Sequence, residues 1–99
     1  MNVKLVNRGD EGELLLDGRL DTSTASDAEK LFLDVAGRFT NITLNMKDLK
    51  YISSAGLRVI KKLYMKVKAN GGVVSVTNTS SNVYEVFEMT GFAGILNMR

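Results

Sequence analysis

Tyr51-Ile52-Ser53-Ser54-Ala55-Gly56-Leu57-Arg58-Val59-Ile60 joins two different hydrophobic rhythms, and this junction decides the fold. Before it, Ile42, Leu44 and Met46 alternate with polar residues, the two-residue period of a half-buried strand. After it, Leu57, Ile60, Leu63, Tyr64 and Val67 recur at helical spacing. Ser54 thus falls where a helix N-cap is expected, close to backbone N–H groups that lack partners in a first turn. Those N–H groups and the helix dipole favour negative charge. A serine here is a chemically sensible place to add a phosphate, and the same spacing also suits a plain capping serine.

Working outward, Val3 to Val6 and Leu14 to Leu16 read as two strands joined across the Gly-containing turn Arg8-Gly9-Asp10-Glu11-Gly12. Ala25, Ala28, Leu31, Phe32 and Val35 form the apolar stripe of a first helix that Gly37 can close. Thr24 with Asp27, or Ser26 with Glu29, fits a capping box at its start. Asn70-Gly71-Gly72 ends the middle helix, and Val73, Val74 and Val76 make a fourth strand. A short helix from about Ser81 to Met89 stops at Gly91, and Ile95 to Met98 form a last strand. The order is ββαβαβαβ, one α/β domain spanning residues 1–99. Strand–helix–strand returns are right-handed, so the expected architecture is a mixed, largely parallel sheet of four to five strands with helices packed on it.

Composition excludes several chemistries. The 99 residues contain no cysteine and no histidine. Disulfides, zinc–thiolate sites, a thiol nucleophile and a Ser-His-Asp triad are therefore ruled out. The carboxylates Asp10, Glu11, Asp17, Asp21, Asp27, Asp34 and Asp48 are scattered, with no spacing that pairs two of them. Neither Gly71-Gly72 nor Gly91-Phe92-Ala93-Gly94 has the lysine of a phosphate-binding loop. The reading is a non-enzymatic protein with no cofactor and no metal. No apolar run spans a bilayer and no signal-peptide pattern opens the chain, so a soluble, cytoplasmic domain is expected. The formal charge of +2 does not call for nucleic acid as a partner.

The middle helix carries the clearest charge pattern. Leu57, Val59, Ile60, Leu63, Tyr64 and Val67 occupy one side, and Arg58, Lys61, Lys62, Lys66 and Lys68 the other, together with Met65. No acid of the helix interrupts the basic row. It reads either as a solvated face or as a docking face for an acidic partner. Aromatic residues do not interleave with the cations, which argues against a single-stranded nucleic-acid surface.

Three blocks then carry a resemblance. Asp17-Gly18-Arg19-Leu20-Asp21-Thr22, Asp48-Leu49-Lys50-Tyr51-Ile52-Ser53-Ser54-Ala55-Gly56-Leu57 and Met89-Thr90-Gly91-Phe92 resemble, in order, three signatures of the STAS domain. More narrowly, the chain resembles the stand-alone bacterial anti-sigma factor antagonists, the anti-anti-sigma factors of sporulation and stress regulation. The resemblance implies phosphorylation at Ser54, two residues before the glycine of the central block, with Ser53 as the second candidate. It implies an anti-sigma factor partner that is also a serine kinase of the histidine-kinase-like ATPase type, and a serine phosphatase that reverses the modification. The partner surface it implies takes in Asp21, Thr22, Ser53, Ser54, Ala55 and Gly56, which the basic residues Arg58, Lys61 and Lys62 extend. Ser53 and Ala55 stand where several antagonists carry an acid and a hydroxyl residue. The same domain also serves as a scaffold or lipid-trafficking accessory subunit that binds a partner ATPase without being phosphorylated, and this is the alternative function.

Overall fold

Gly9 takes φ +81°, which lets Gly9-Asp10 act as a two-residue turn with glycine at its first central position. In the computed structural model, which describes residues 1–99, this turn joins β1 (Asn2–Arg8) to β2 (Glu11–Leu20), with Arg8 opposite Glu11. Then follow α1 (Ala25–Ala36), β3 (Asn41–Ile52), α2 (Ser54–Ala69), β4 (Val74–Thr77), α3 (Ser81–Met89), a 3₁₀ turn at Phe92–Gly94 and β5 (Asn97–Met98). The order is the ββαβαβαβ expected from the sequence.

The five strands lie in the order β1-β2-β3-β4-β5. The first pair is antiparallel and the other three are parallel. Each helical return steps one strand in the same direction, and a constant right-handed crossover then keeps every helix on one face of the sheet. The register shows the two faces directly. Leu14, Leu44 and Val76 align across the sheet and are fully buried. One residue along, Glu13, Thr43, Ser75 and Asn97 align on the opposite face. That face is polar and internally bonded: Thr43 Oγ1 donates to Glu11 Oε2 at 2.6 Å, Asn45 Nδ2 to Glu13 Oε2 at 3.2 Å, and Asn97 Nδ2 to Ser75 Oγ at 2.9 Å. Phe32 and Val35 of α1, Ile60, Leu63 and Val67 of α2, and Val83 and Phe87 of α3 complete one hydrophobic cluster on the other side. No helix is long and apolar enough to cross a membrane.

Several local expectations change. β3 runs from Asn41 to Ile52, well past Met46. Its register against β2 shifts between Leu15 and Asp17 and again between Gly18 and Arg19, with one extra β3 residue at each step. These bulges break the alternation that marks a strand in sequence. β5 shortens to Asn97–Met98 because Ile95 and Leu96 both donate to the Phe92 carbonyl, continuing the 3₁₀ turn. Neither capping box forms at α1. Thr24 is the N-cap, but its hydroxyl accepts from the Asp21 N–H at 3.0 Å and donates to the Arg19 carbonyl at 2.9 Å, while Ser26 lies inside the helix. The buried stripe of α1 turns toward Ala36, leaving Leu31 37% exposed.

The loop between α2 and β4 is fixed by a close approach. A Cβ at Gly72 would clash with the Thr40 carbonyl oxygen, whereas Gly71, at φ +81°, has open space around it. Gly71→Ala should therefore cost only the left-handed backbone penalty, about 1–2 kcal/mol. Gly72→Ala must displace backbone and should cost more. Thermal melting followed by circular dichroism should show the larger fall for Gly72→Ala, at roughly 4–8 °C per kcal/mol for a domain of this size. Equal falls would mean that the Thr40 contact is not a constraint.

Candidate functional site

One residue turns the chain from β3 into α2, and that residue is Ser53. Its backbone is still extended, at φ −101° and ψ 176°. Its N–H donates to the Leu20 carbonyl at 2.9 Å, and its carbonyl accepts from the Leu57 N–H at 2.9 Å. Its side-chain oxygen accepts from the Gly56 N–H at 3.3 Å. Ser53 is thus the N-cap, and Ser54, for which that role is expected from the sequence, is the first helical residue. The physical reason is the bond to Leu20: it keeps Ser53 in the sheet, so the helical turn starts one residue later. Ser54 is exposed and its hydroxyl makes no hydrogen bond within the chain.

Gly56 is buried beneath this turn. A Cβ there would meet Leu20 Cγ and the Leu20 carbonyl oxygen at 2.7 Å and Ile52 Cγ1 at 3.0 Å. Gly56, expected at the partner surface, is buried, and the lack of a side chain lets the helix start press against the ends of β2 and β3. Ala55 is half-buried beside it.

Asp21 sits at the end of β2 in a tight loop. Its Oδ1 accepts from the Ser23 N–H at 3.0 Å and the Ser23 hydroxyl at 2.7 Å. Its Oδ2 lies 3.5 Å from Arg19 Nε. The Ser23 hydroxyl, first among these, holds the Asp21 carboxyl below the usual aspartate range, and the Ser23 N–H and Arg19 act in the same direction. The Arg19 guanidinium also stacks over the Tyr51 ring, 4.3 Å from its centre. Arg19, Asp21, Thr22, Ser23, Tyr51 and Ser53 line one shallow depression of about 340 Å³. The structure therefore brings Asp21, Thr22 and Ser53 together beside Ser54. Arg19 and Tyr51 escape the sequence reading because they face each other only through the second register shift of β3.

Arg58, Lys61 and Lys62 are exposed along α2. Lys62 Nζ is tied to Glu29 Oε1 of α1 at 2.8 Å, so an acid from the neighbouring helix does enter the basic row. Arg58 follows Ser54 by four residues and Lys61 by seven, which places all three on one side of the helix. Lys66 and Lys68 lie in the last turn, where cations suit the helix dipole. No three carboxylates gather as they would around a metal ion. The arrangement can bind a complementary surface and present one free hydroxyl. It has no base positioned to activate that hydroxyl, so any transfer onto it draws its base from elsewhere.

Two measurements follow from this geometry. Ser53→Ala removes the cap and should lower stability by about 0.5–2 kcal/mol. Ser54→Ala should stay within about 0.5 kcal/mol of the parent, and Ser54→Asp should melt within a few degrees of it. A reversed order in urea unfolding would show that Ser54 is the structural serine. Separately, the folded Asp21 pKa lies below its unfolded value. Its contribution is complete above the ordinary aspartate range and is lost as pH falls through the lowered value. Ser23→Ala should raise the Asp21 pKa, read by carboxyl-carbon NMR titration, and an unchanged midpoint would exclude the Ser23 hydroxyl as the main cause.

Comparison with known proteins agrees with this architecture. The STAS domain family model matches residues 2–99. An anti-sigma F factor antagonist of Paenibacillus polymyxa is 30% identical over 101 residues, covering 97% of this chain and 86% of the relative. The anti-sigma-B factor antagonist of Bacillus subtilis strain 168 is 24% identical over 100 residues, covering 99% and 92%. The solved structure of the Bacillus cell fate determinant SpoIIAA in its phosphorylated form superposes with a TM-score of 0.78 at 19% identity, over 99% of this chain and 91% of that one. The chain belongs to the STAS domain family, and these relatives are anti-sigma factor antagonists.

Proposed function

We propose that this protein is an anti-sigma factor antagonist, a non-enzymatic cytoplasmic regulator whose binding is switched at Ser54. In its unphosphorylated form it captures an anti-sigma factor that is also a serine kinase of the histidine-kinase-like ATPase type, and so frees a sigma factor. Phosphorylation of Ser54 ends the capture, and a serine phosphatase restores it. The observation that carries this reading is the division of labour between two adjacent serines. Ser53 does the capping, and Ser54 is left exposed with an unengaged hydroxyl.

The kinase reaction asks little of this chain. The Ser54 oxygen attacks the γ-phosphorus of ATP, the bond to the ADP oxygen breaks, and a base of the kinase takes the hydroxyl proton. The modified residue gains about −1.5 to −2 units of charge and three acceptor oxygens. At the first turn of α2 that charge faces the unpaired N–H groups and is stabilised by about 0.3–1 kcal/mol. Arg58, one turn on, can pair with it. The fold therefore tolerates the phosphate, whereas a partner packed over the hydroxyl meets a new charge and a larger group. Each 1.4 kcal/mol lost there is about tenfold in affinity. Asp21, Thr22 and the depression they share with Ser53 form one flank of the docking surface, and Ala55, Arg58, Lys61 and Lys62 the other.

A pull-down from native-host lysate with Ser54→Ala and Ser54→Asp baits, with ATP or ADP present, tests the switch. The alanine form should retain an ATPase-kinase that the aspartate form loses. Equal recovery of one ATPase by both would favour the scaffold or lipid-trafficking role, and phosphoserine at Ser53 in protein from the host would move the switch by one residue.

A further inference from the structure

On the reading that Ser54 is the switch, we propose that Arg19 receives a carboxylate side chain of the anti-sigma factor, whose facing surface is therefore acidic. Asp21 is the charged residue of this loop expected to meet the partner, and its carboxylate already serves the loop. Oδ1 accepts from the Ser23 N–H at 3.0 Å and from the Ser23 hydroxyl at 2.7 Å, and Oδ2 faces Arg19 Nε. Asp21 thus positions its own loop and the neighbouring arginine.

Arg19 is in the opposite condition. Its guanidinium lies over the Tyr51 ring, 4.3 Å from the centre, and its Nε is 3.5 Å from Asp21 Oδ2. Those two contacts fix the plane of the group. Its two terminal nitrogens make no hydrogen bond within the chain, and 61% of the side chain is exposed. Side by side, such nitrogens match the two oxygens of a carboxylate. A guanidinium already held in place gives up less freedom when that carboxylate arrives.

The surroundings carry the same sign. Arg58 and Lys61 follow Ser54 along one side of α2 and form no ion pair, whereas Lys62 is tied to Glu29. Arg19 reaches the same junction from β2, through the depression that it shares with Ser53, where Asp21 is the one acid. Asp17 and Asp48 stand opposite each other further back along β2 and β3. Cations from two elements thus meet at the serine junction, and an acidic surface complements them and is steered toward them. A phosphate at Ser54 would act twice on such a partner. It would repel the partner's carboxylates and occupy the cations that hold them.

The test uses the purified ATPase-kinase that Ser54→Ala retains, with every variant built on Ser54→Ala so that no phosphate forms there. Arg19→Glu should bind at least about tenfold more weakly, the worth of one charge-assisted pair. Lys30→Glu makes the same change in net charge on the exposed side of α1 and should bind as the parent does. A partner cation directed at Asp21 would instead make Arg19→Glu bind more tightly, so tighter or unchanged binding overturns the proposal. Salt separates a contact from a structural role. Association of the parent should slow steeply with ionic strength, and Arg19→Gln should flatten that dependence while melting within a few degrees of the parent. An equal salt dependence would overturn the proposal even where Arg19→Glu binds poorly. If Ser54→Ala retains no ATPase-kinase, the proposed switch fails and the acidic partner with it. A retained kinase that tolerates Arg19→Glu removes the acidic partner alone.

Discussion

The close approach between Gly56 and Leu20 is the constraint on which the rest of the site depends. With no side chain on Gly56, the first turn of α2 can lie against the end of β2, where even a methyl group would sit 2.7 Å from Leu20 atoms. That contact holds Ser53 within reach of the Leu20 carbonyl, and the resulting hydrogen bond fixes where the strand ends. The cap, the first helical residue and the outward direction of the Ser54 side chain all follow from that one placement. A larger residue at Gly56 would lift the helix start from the sheet and blur the difference between the two serines.

The layout of the sheet explains why this junction is accessible. Successive crossovers in one direction put all three helices on one face. The C-terminal ends of β2 and β3 are then uncovered above the core, and α2 starts from that rim. The depression between Arg19, Tyr51 and Ser53 is part of the same rim. Its arginine is stacked on Tyr51 and paired with Asp21, so its position is set before any partner arrives. Order of that kind lowers the entropic cost of association.

Much of this was legible in the sequence, and the failures have physical causes. Strong periodicity located α1 and α2, Gly91 marked the end of α3, and the Gly9 turn located the hairpin, because each signal is local. The extent of β3 was hidden because its bulges put Lys47, Asp48 and Lys50 into a strand that no longer alternates. The N-cap was misplaced by one residue because Ser53 and Ser54 have equal capping propensity, and only a bond to a distant strand separates them. Arg19 and Tyr51 are thirty-two positions apart and meet through register alone. The capping box at Thr24 failed for a related reason: the Asp21 loop captures the threonine hydroxyl first.

Separating the two serines has an energetic consequence. If one hydroxyl both capped the helix and carried the phosphate, modification would change the cap itself, and the switch would act on the fold. With the cap on Ser53, a phosphate at Ser54, as proposed above, would add charge where the helix dipole and Arg58 accept it and would remove no existing hydrogen bond. Folding free energy would then change little between the two proposed states. A partner that covers Ser54 would have to desolvate the phosphate or leave room for it. A module whose total stability is only about 5–15 kcal/mol has little to spare for its own regulation. A switch set one residue off the cap, as proposed, would place nearly all of its energy on the interface.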